Sequence, residues 1–317
     1  MTGGRVAVTG AGGFIGSHLA SRLMATGASL LLLGPPPRRE VPVPVPGADA
    51  WLPDALGGGP DRLAEALSTC DALVHLGYVA PPPGGVLDRL GSELETNVAA
   101  TAELMQAAAA GGVPYLVFAS TSEVYPASGL NREDGPVAPQ SPYAVAKLVQ
   151  EQLVRGWAVD TGRRAAVLRL TTVYGPGEPV RRAVPRFIAA ALRGLPLPLD
   201  GDGAQVFAPV FVGDVVAAFH AAVELRAGGI YNVGGEPRAV SEVADLVLRL
   251  CAADARLAGR RRTERRLVPL CDTSRAASVL GVRQTALQAG LTEEIEWLRF
   301  QELAAVPSKG GGGIQCA

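Results

Sequence analysis

The stretch Thr9-Gly10-Ala11-Gly12-Gly13-Phe14-Ile15-Gly16 restricts what this chain can fold into more than any other segment. An apolar run, Val6 to Thr9, precedes it, and Ser17 to Ala25 follows with Leu19 and Leu23 at helical spacing, which reads as strand, glycine turn, helix. In such a turn Gly10 allows the tight reversal, Gly13 lets backbone approach a pyrophosphate and Gly16 permits close helix packing. Gly12, Phe14 and Ile15 complete a loop at a helix N-terminus, where free N–H groups and the helix dipole favour anions.

The rest of the chain repeats that alternation. Apolar runs at Ser29 to Leu33, Asp71 to Leu76, Tyr115 to Ser120 and Ala165 to Thr171 predict strands. Asp61 to Leu67, Glu93 to Ala110 and Tyr143 to Val159 predict helices. Continuously apolar strands separated by helices imply a parallel sheet covered on both faces. The expected fold class is therefore α/β, a Rossmann-like doubly wound parallel sheet with a smaller α/β substrate-binding lobe. Residues 1–175 are expected to form the dinucleotide-binding domain, 176–307 mainly the substrate lobe with some segments returning to the first domain, and 308–317 a disordered, glycine-rich tail. Gly34 to Pro60 and Val79 to Gly85, rich in proline and glycine, are expected to be surface loops, and Pro196 to Gly203 a turn-rich stretch. Helices are expected at Ala183 to Arg193, Asp214 to Leu225 and Ser241 to Cys251.

Composition narrows the partners. The chain has 29 basic and 30 acidic side chains, a formal net charge of -1, so nothing global points to nucleic acid. Cys70, Cys251, Cys271 and Cys316 show neither CxxC nor Cys/His spacing, so no metal site or disulfide framework is expected and a reducing cytoplasm fits best. The N-terminus does not read as a signal peptide and no apolar run reaches membrane-spanning length, so a soluble protein without a membrane partner is expected. Arginines cluster at Arg181-Arg182 and from Arg260 to Arg266; such clusters can seat phosphates or form a solvated face.

Tyr143-Ala-Val-Ala-Lys147 places a phenol and an ammonium one helical turn apart on one face. A tyrosine with its ordinary pKa of about 10 needs a nearby cation before its phenolate is accessible near neutrality, and Lys147 is the expected source of that field. At the end of the second strand, where a dinucleotide fold usually carries an acid for the ribose, this chain has Gly34. Arg38 and Arg39 follow, suited to a 2'-phosphate, so NAD and NADP both remain open.

With these motifs in this order, the chain resembles an extended short-chain dehydrogenase/reductase of the NAD-dependent epimerase/dehydratase family, enzymes of nucleotide sugars. The resemblance also rests on Val74-His75-Leu76-Gly77, Asn97, Leu168-Arg169, Val173-Tyr174-Gly175-Pro176 and Tyr231-Asn232-Val233-Gly234-Gly235. It implies NAD as cofactor, with Gly10, Gly12, Gly13, Phe14, Ile15, Gly16, Arg38, Leu52, Leu76, Gly77, Asn97, Tyr143 and Lys147 around it. It implies Thr121, Tyr143 and Lys147 as catalytic residues. It places Thr121, Ser122, Glu123, Tyr143, Thr172, Arg181, Arg182 and Arg262 at the substrate, and it implies a homodimer through the helices carrying Glu93 and Tyr143.

Within the family, the product depends on what surrounds that set. Dehydratases similar in this segment carry Asp-Glu after the threonine, and here the pair is Ser122-Glu123. Thr-Ser-Glu-Val-Tyr also resembles UDP-glucuronate decarboxylases, whereas Thr172 stands where those enzymes have asparagine and UDP-glucuronate 4-epimerases have threonine. The arginine that such epimerases show after the Gly-Pro turn falls on Pro179, and the diphosphate-binding arginine of relatives falls on Gln205, with Arg262 in position to compensate. The resemblance thus leans to 4-epimerisation of UDP-glucuronate, with an NADPH-dependent 4-ketoreductase and a UDP-glucuronate decarboxylase as alternatives.

Overall fold

The computed structural model describes residues 3–34, 50–52, 60–179, 182–253, 257–260 and 268–305. Arg38, Arg39, Arg181, Arg262 and the expected tail at 308–317 lie outside the described residues.

In chain order the elements begin β1 (Arg5–Thr9), α1 (Phe14–Ala25), β2 (Ser29–Leu33), β3 (Ala50–Leu52), α2 (Pro60–Leu67) and β4 (Ala72–His75). Then come α3 (Val86–Ser92), a π-helical turn (Glu93–Val98), α4 (Ala99–Ala110), β5 (Tyr115–Thr121), β6 (Leu130–Asn131), α5 (Pro142–Thr161) and β7 (Arg164–Leu170). The second half runs β8 (Thr172–Tyr174), α6 (Ala183–Leu192), β9 (Leu197–Asp200), β10 (Val206–Phe207), β11 (Pro209–Phe211), α7 (Val212–Leu225), β12 (Gly229–Val233) and β13 (Arg238–Ala239). It closes with α8 (Val240–Cys251), β14 (Leu257–Arg260), β15 (Leu270–Cys271), α9 (Ser274–Leu280) and α10 (Leu287–Ala305).

Among the described residues the central sheet has seven strands in the order β12-β7-β5-β4-β1-β2-β3, all parallel. The order reverses between β1 and β4, the switch point at which sheets of this type leave a crevice beyond the strand ends. Alternate residues of each strand go to opposite faces. Val6, Val8, Leu30, Leu32 and Val117 join the core beneath α1 and α7, while Ala7, Leu31, Leu33, Leu116 and Phe118 join the core beneath α2, α4 and α5. Burial on both faces explains why these strands are apolar throughout rather than alternating. The first of these cores continues without a break into α6, α8 and α10 through Val184, Phe187, Val243, Val247 and Ile295.

Several expectations need correction. The stretch Gly34 to Pro60 contains a sheet strand, β3, whose three residues are too few for a periodicity signal among prolines and glycines. Leu197–Asp200, within the stretch expected to be turn-rich, is a strand paired with β14. The helix expected to begin at Glu93 starts at Val86, where the Asp88 carboxylate accepts from the Gly85 N–H at 3.1 Å, and it passes through a π-helical turn at Glu93–Val98.

Candidate active site

The crevice at the switch point is built by the glycine turn and the end of β4. Gly10 has a φ of +71°, and a Cβ placed there would come within 2.8 Å of the Gly77 nitrogen. A Cβ on Gly16 would lie 2.1 Å from the Gly10 carbonyl oxygen, so the helix can sit this close to the turn only with glycine. Gly13 is the N-cap of α1, makes no side-chain cap, and is followed by no acid in the first turn. The helix end therefore keeps its positive potential for an anionic ligand. A cradle closed to any Cβ, above an uncapped helix N-terminus, fits the pyrophosphate of a dinucleotide.

Opposite that turn, one directed hydrogen-bond chain fixes the loop after β4. The β1–β4 register sets Thr9 beside His75. The Thr9 hydroxyl accepts from the N–H groups of Leu76 (3.1 Å) and Gly77 (2.9 Å), so its own proton points to His75 Nδ1 at 2.7 Å. His75 Nε2 must then carry the ring hydrogen and donate to Thr101 Oγ1 at 3.0 Å, while Thr101 donates to the Asn97 carbonyl at 2.8 Å. Burial, and secondarily the charge of Lys147, lower the His75 pKa to about 3, so the ring stays neutral. The N–H groups of Leu76 and Gly77 are thus engaged by Thr9 and are not free to donate to a ligand. The Asn97 amide is likewise engaged, donating to the Val79 carbonyl at 2.9 Å and to Glu93 Oε2 at 2.8 Å, and accepting from the Val79 N–H at 2.8 Å.

Tyr143 and Lys147 occupy the first turns of α5, which Ser141 caps by accepting from the Ala144 N–H at 3.2 Å. Thr121 ends β5, is buried, accepts from the Glu123 N–H at 3.2 Å and lies close enough to Tyr143 to favour its phenolate. Lys147 Nζ donates to the Ala119 carbonyl at 3.0 Å and lies 4.8 Å from the Phe118 ring centroid and 5.5 Å from that of Tyr78. Burial lowers its pKa to about 8, against the charges of Glu93 and Glu151, which raise it. Burial and then the charge of Glu123 push the pKa of Tyr143 up to about 12, while Thr121 and Arg182 act to lower it.

Ser122 is buried, and Glu123 follows it in the short 3-10 turn Ser122–Val124. Thr172 is half-buried in β8, and Leu52 is half-buried at the end of β3. Phe14 and Ile15 pack partly buried on the core at the head of α1, and Gly12 lies in the turn itself. Arg182, the N-cap of α6, reaches Glu178 at 3.9 Å and is close enough to Tyr143 to act on its charge.

Sequence reasoning missed the acids near this site. Glu178 and Glu294 are buried together, and three of their carboxyl oxygens lack a hydrogen-bond partner. Burial raises Glu178 to about 8, with Arg182 pulling it down, and burial together with Glu178 raises Glu294 well above the usual 4.5. A carboxyl whose folded pKa lies above its unfolded one binds more protons in the folded state, so stability falls as pH climbs from about 4.5 to about 8. Glu178→Gln should therefore be more stable than the wild type at pH 8, by on the order of 2–4 kcal/mol, and so unfold at a higher temperature, with the margin shrinking towards pH 5. Thermal midpoints that ran parallel across this range would rule the idea out.

A family model described as the NAD dependent epimerase/dehydratase family matches residues 6–234. The chain is 34% identical over 272 residues to a dTDP-glucose 4,6-dehydratase of Streptomyces griseus, covering 78% of each chain. It is 29% identical over 277 residues to a UDP-N-acetyl-alpha-D-glucosaminuronate decarboxylase of Bacillus cytotoxicus, covering 80% of this chain and 82% of the other. Among solved structures, MoeE5 in complex with UDP-glucuronic acid and NAD matches with a TM-score of 0.82 at 34% identity, over 94% of this chain and 100% of the other. The UDP-glucuronic acid 4-epimerase from Bacillus cereus, in complex with UDP-glucuronic acid and NAD, matches with a TM-score of 0.81 at 26% identity, over 94% and 99%.

Proposed function

The chain belongs to the NAD-dependent epimerase/dehydratase family of enzymes acting on nucleotide sugars, and from that premise we propose that it is a 4-epimerase converting UDP-glucuronate to UDP-galacturonate. The reading is carried by the acids beside Tyr143. Glu123 acts on its charge, whereas the neighbouring position holds Ser122, buried and without an ionisable group. Elimination of water across C5 and C6 calls for an acid and a base there, and one of the two is missing. Oxidation and re-reduction at a single carbon does not need the second. The likeness to MoeE5 with UDP-glucuronic acid supports the sugar.

In this reading Gly10 to Gly16 and the head of α1 hold the cofactor pyrophosphate, and Lys147 faces the nicotinamide ribose. NAD, when bound, would supply a reversible hydride acceptor for C4 of the sugar. Tyr143 removes the C4 hydroxyl proton while Thr121 holds that oxygen, and Lys147 supplies positive charge at the phenolate. Epimerisation would require the 4-keto sugar to turn in the pocket so that its other face is reduced, with Tyr143 giving the proton back to the C4 oxygen. Thr172 contacts the sugar carboxylate and opposes decarboxylation; Arg182, with Arg181 and Arg262, offers charge to the anionic groups. A second copy would pack on the exposed Leu87, Leu94 and Val149 along α3 to α5.

Incubation with UDP-glucuronate should yield UDP-galacturonate, with NAD tightly held by the purified protein. UDP-xylose as product would identify a decarboxylase instead. An empty site requiring added NADPH would identify the 4-ketoreductase that Gly34, with no carboxylate for the ribose, would suit.

A further inference from the structure

Glu93 is a buried carboxylate to which neither the sequence motifs nor the reaction above gives a role, and it is linked to the reacting pair through Tyr78. It is 1% exposed and opens the π-helical turn. A wider π turn carries the helix past Glu93 and Asn97 with both side chains on the inner face, the kind of local insertion that recurs at functional sites. Two donors hold the carboxylate there, Asn97 Nδ2 at 2.8 Å on Oε2 and the Tyr78 hydroxyl at 2.6 Å on Oε1. Tyr78 in turn stands edge-on to Tyr143, ring centroids 5.2 Å apart at 77°, and its ring faces the Lys147 ammonium.

We propose that Glu93, oriented by Tyr78 and Asn97, is the countercharge that keeps buried Lys147 protonated at neutral pH, a positioning residue that acts on the reaction through Lys147. The proposal rests on Tyr143 and Lys147 being the reacting pair. Few other charges face Lys147. Glu151, on α5, is committed to Arg169 by bonds of 2.9 and 2.6 Å, and His75, on β4, is neutral. Of the charged groups near Tyr143, Glu123 and, with a smaller influence, Glu93 itself oppose the phenolate, and Arg182 favours it. Among the acids acting on Lys147, Glu93 has the larger influence. Without it, burial would bring the ammonium, already lowered to about 8, close to neutrality.

Lys147 and Lys309 are the only lysines of the chain, so in a Lys309→Arg background a carbon-labelled lysine ε-position reports Lys147 alone by NMR. Titration of the full-length protein without sugar should give a midpoint near 8. Glu93→Gln should lower it by on the order of one pH unit, the size of effect one nearby opposite charge exerts on a buried group. Glu93→Asp, which keeps the charge, should restore most of the shift. An unchanged midpoint in Glu93→Gln overturns the proposal, as does the failure of both variants to fold, which would make Glu93 a purely structural residue. No substrate enters this measurement, so its outcome is separate from that of the epimerase assay.

Discussion

Tyr143→Phe is expected to lower turnover by about 10²- to 10⁴-fold, the usual contribution of a positioned general acid–base group, with the fold and nucleotide-sugar binding retained. The ring itself packs against Tyr78, and phenylalanine preserves that contact, so only the ionisable oxygen is lost. The loss should fall on kcat with little change in KM, because the oxygen acts on a proton in flight rather than on the bound sugar. Thr121→Ala should follow it in direction with a smaller effect, since the threonine is one of the groups favouring the Tyr143 phenolate, and Thr121→Ser should recover most of the activity. Steady-state assays with UDP-glucuronate and circular dichroism of each variant provide the check. A Tyr143→Phe enzyme with more than a tenth of wild-type turnover would falsify the assignment of Tyr143 as the base.

That the sequence exposed this pair and not its surroundings has a physical cause. Tyr143 and Lys147 lie one turn apart on α5, and Gly10 and Gly16 belong to one turn, so their chemistry is local and visible as spacing. The β strands were legible because both faces of the sheet are covered, which makes each strand uniformly apolar. β3 was not, since Ala50–Leu52 is held in place by pairing with β2 rather than by any pattern of its own. A π turn has no sequence signature, and so the inward placement of Glu93 beside Asn97 could be seen only in three dimensions. The same holds for Glu178 and Glu294, which are buried near each other across 116 positions of chain, against the expectation that acids stay in solvent.

Glu151→Ala should be the most damaging single change to the fold. Glu151 lies one turn beyond Lys147 on α5 and is 1% exposed. Its carboxylate takes Arg169 Nε at 2.9 Å and Nη2 at 2.6 Å, and it also accepts from the Ser120 hydroxyl. The β5–β7 register brings Ser120 and Arg169 side by side, so one carboxylate ties α5 to both strands directly behind Thr121. Removing it leaves the Arg169 guanidinium buried, with the face of the Tyr125 ring at 4.7 Å as its remaining neighbour of opposite polarity. An uncompensated buried charge of this kind costs about 3–5 kcal/mol, against a total stability of about 5–15 kcal/mol for a typical protein. The midpoint of urea unfolding should drop accordingly, and the Glu151→Leu, Arg169→Met double variant should recover much of it, because the penalty comes from the stranded charge and not from a lost attraction. A Glu151→Ala midpoint within about 1 kcal/mol of wild type would mean that water reaches Arg169 and that the strand ends behind Thr121 are held by packing alone.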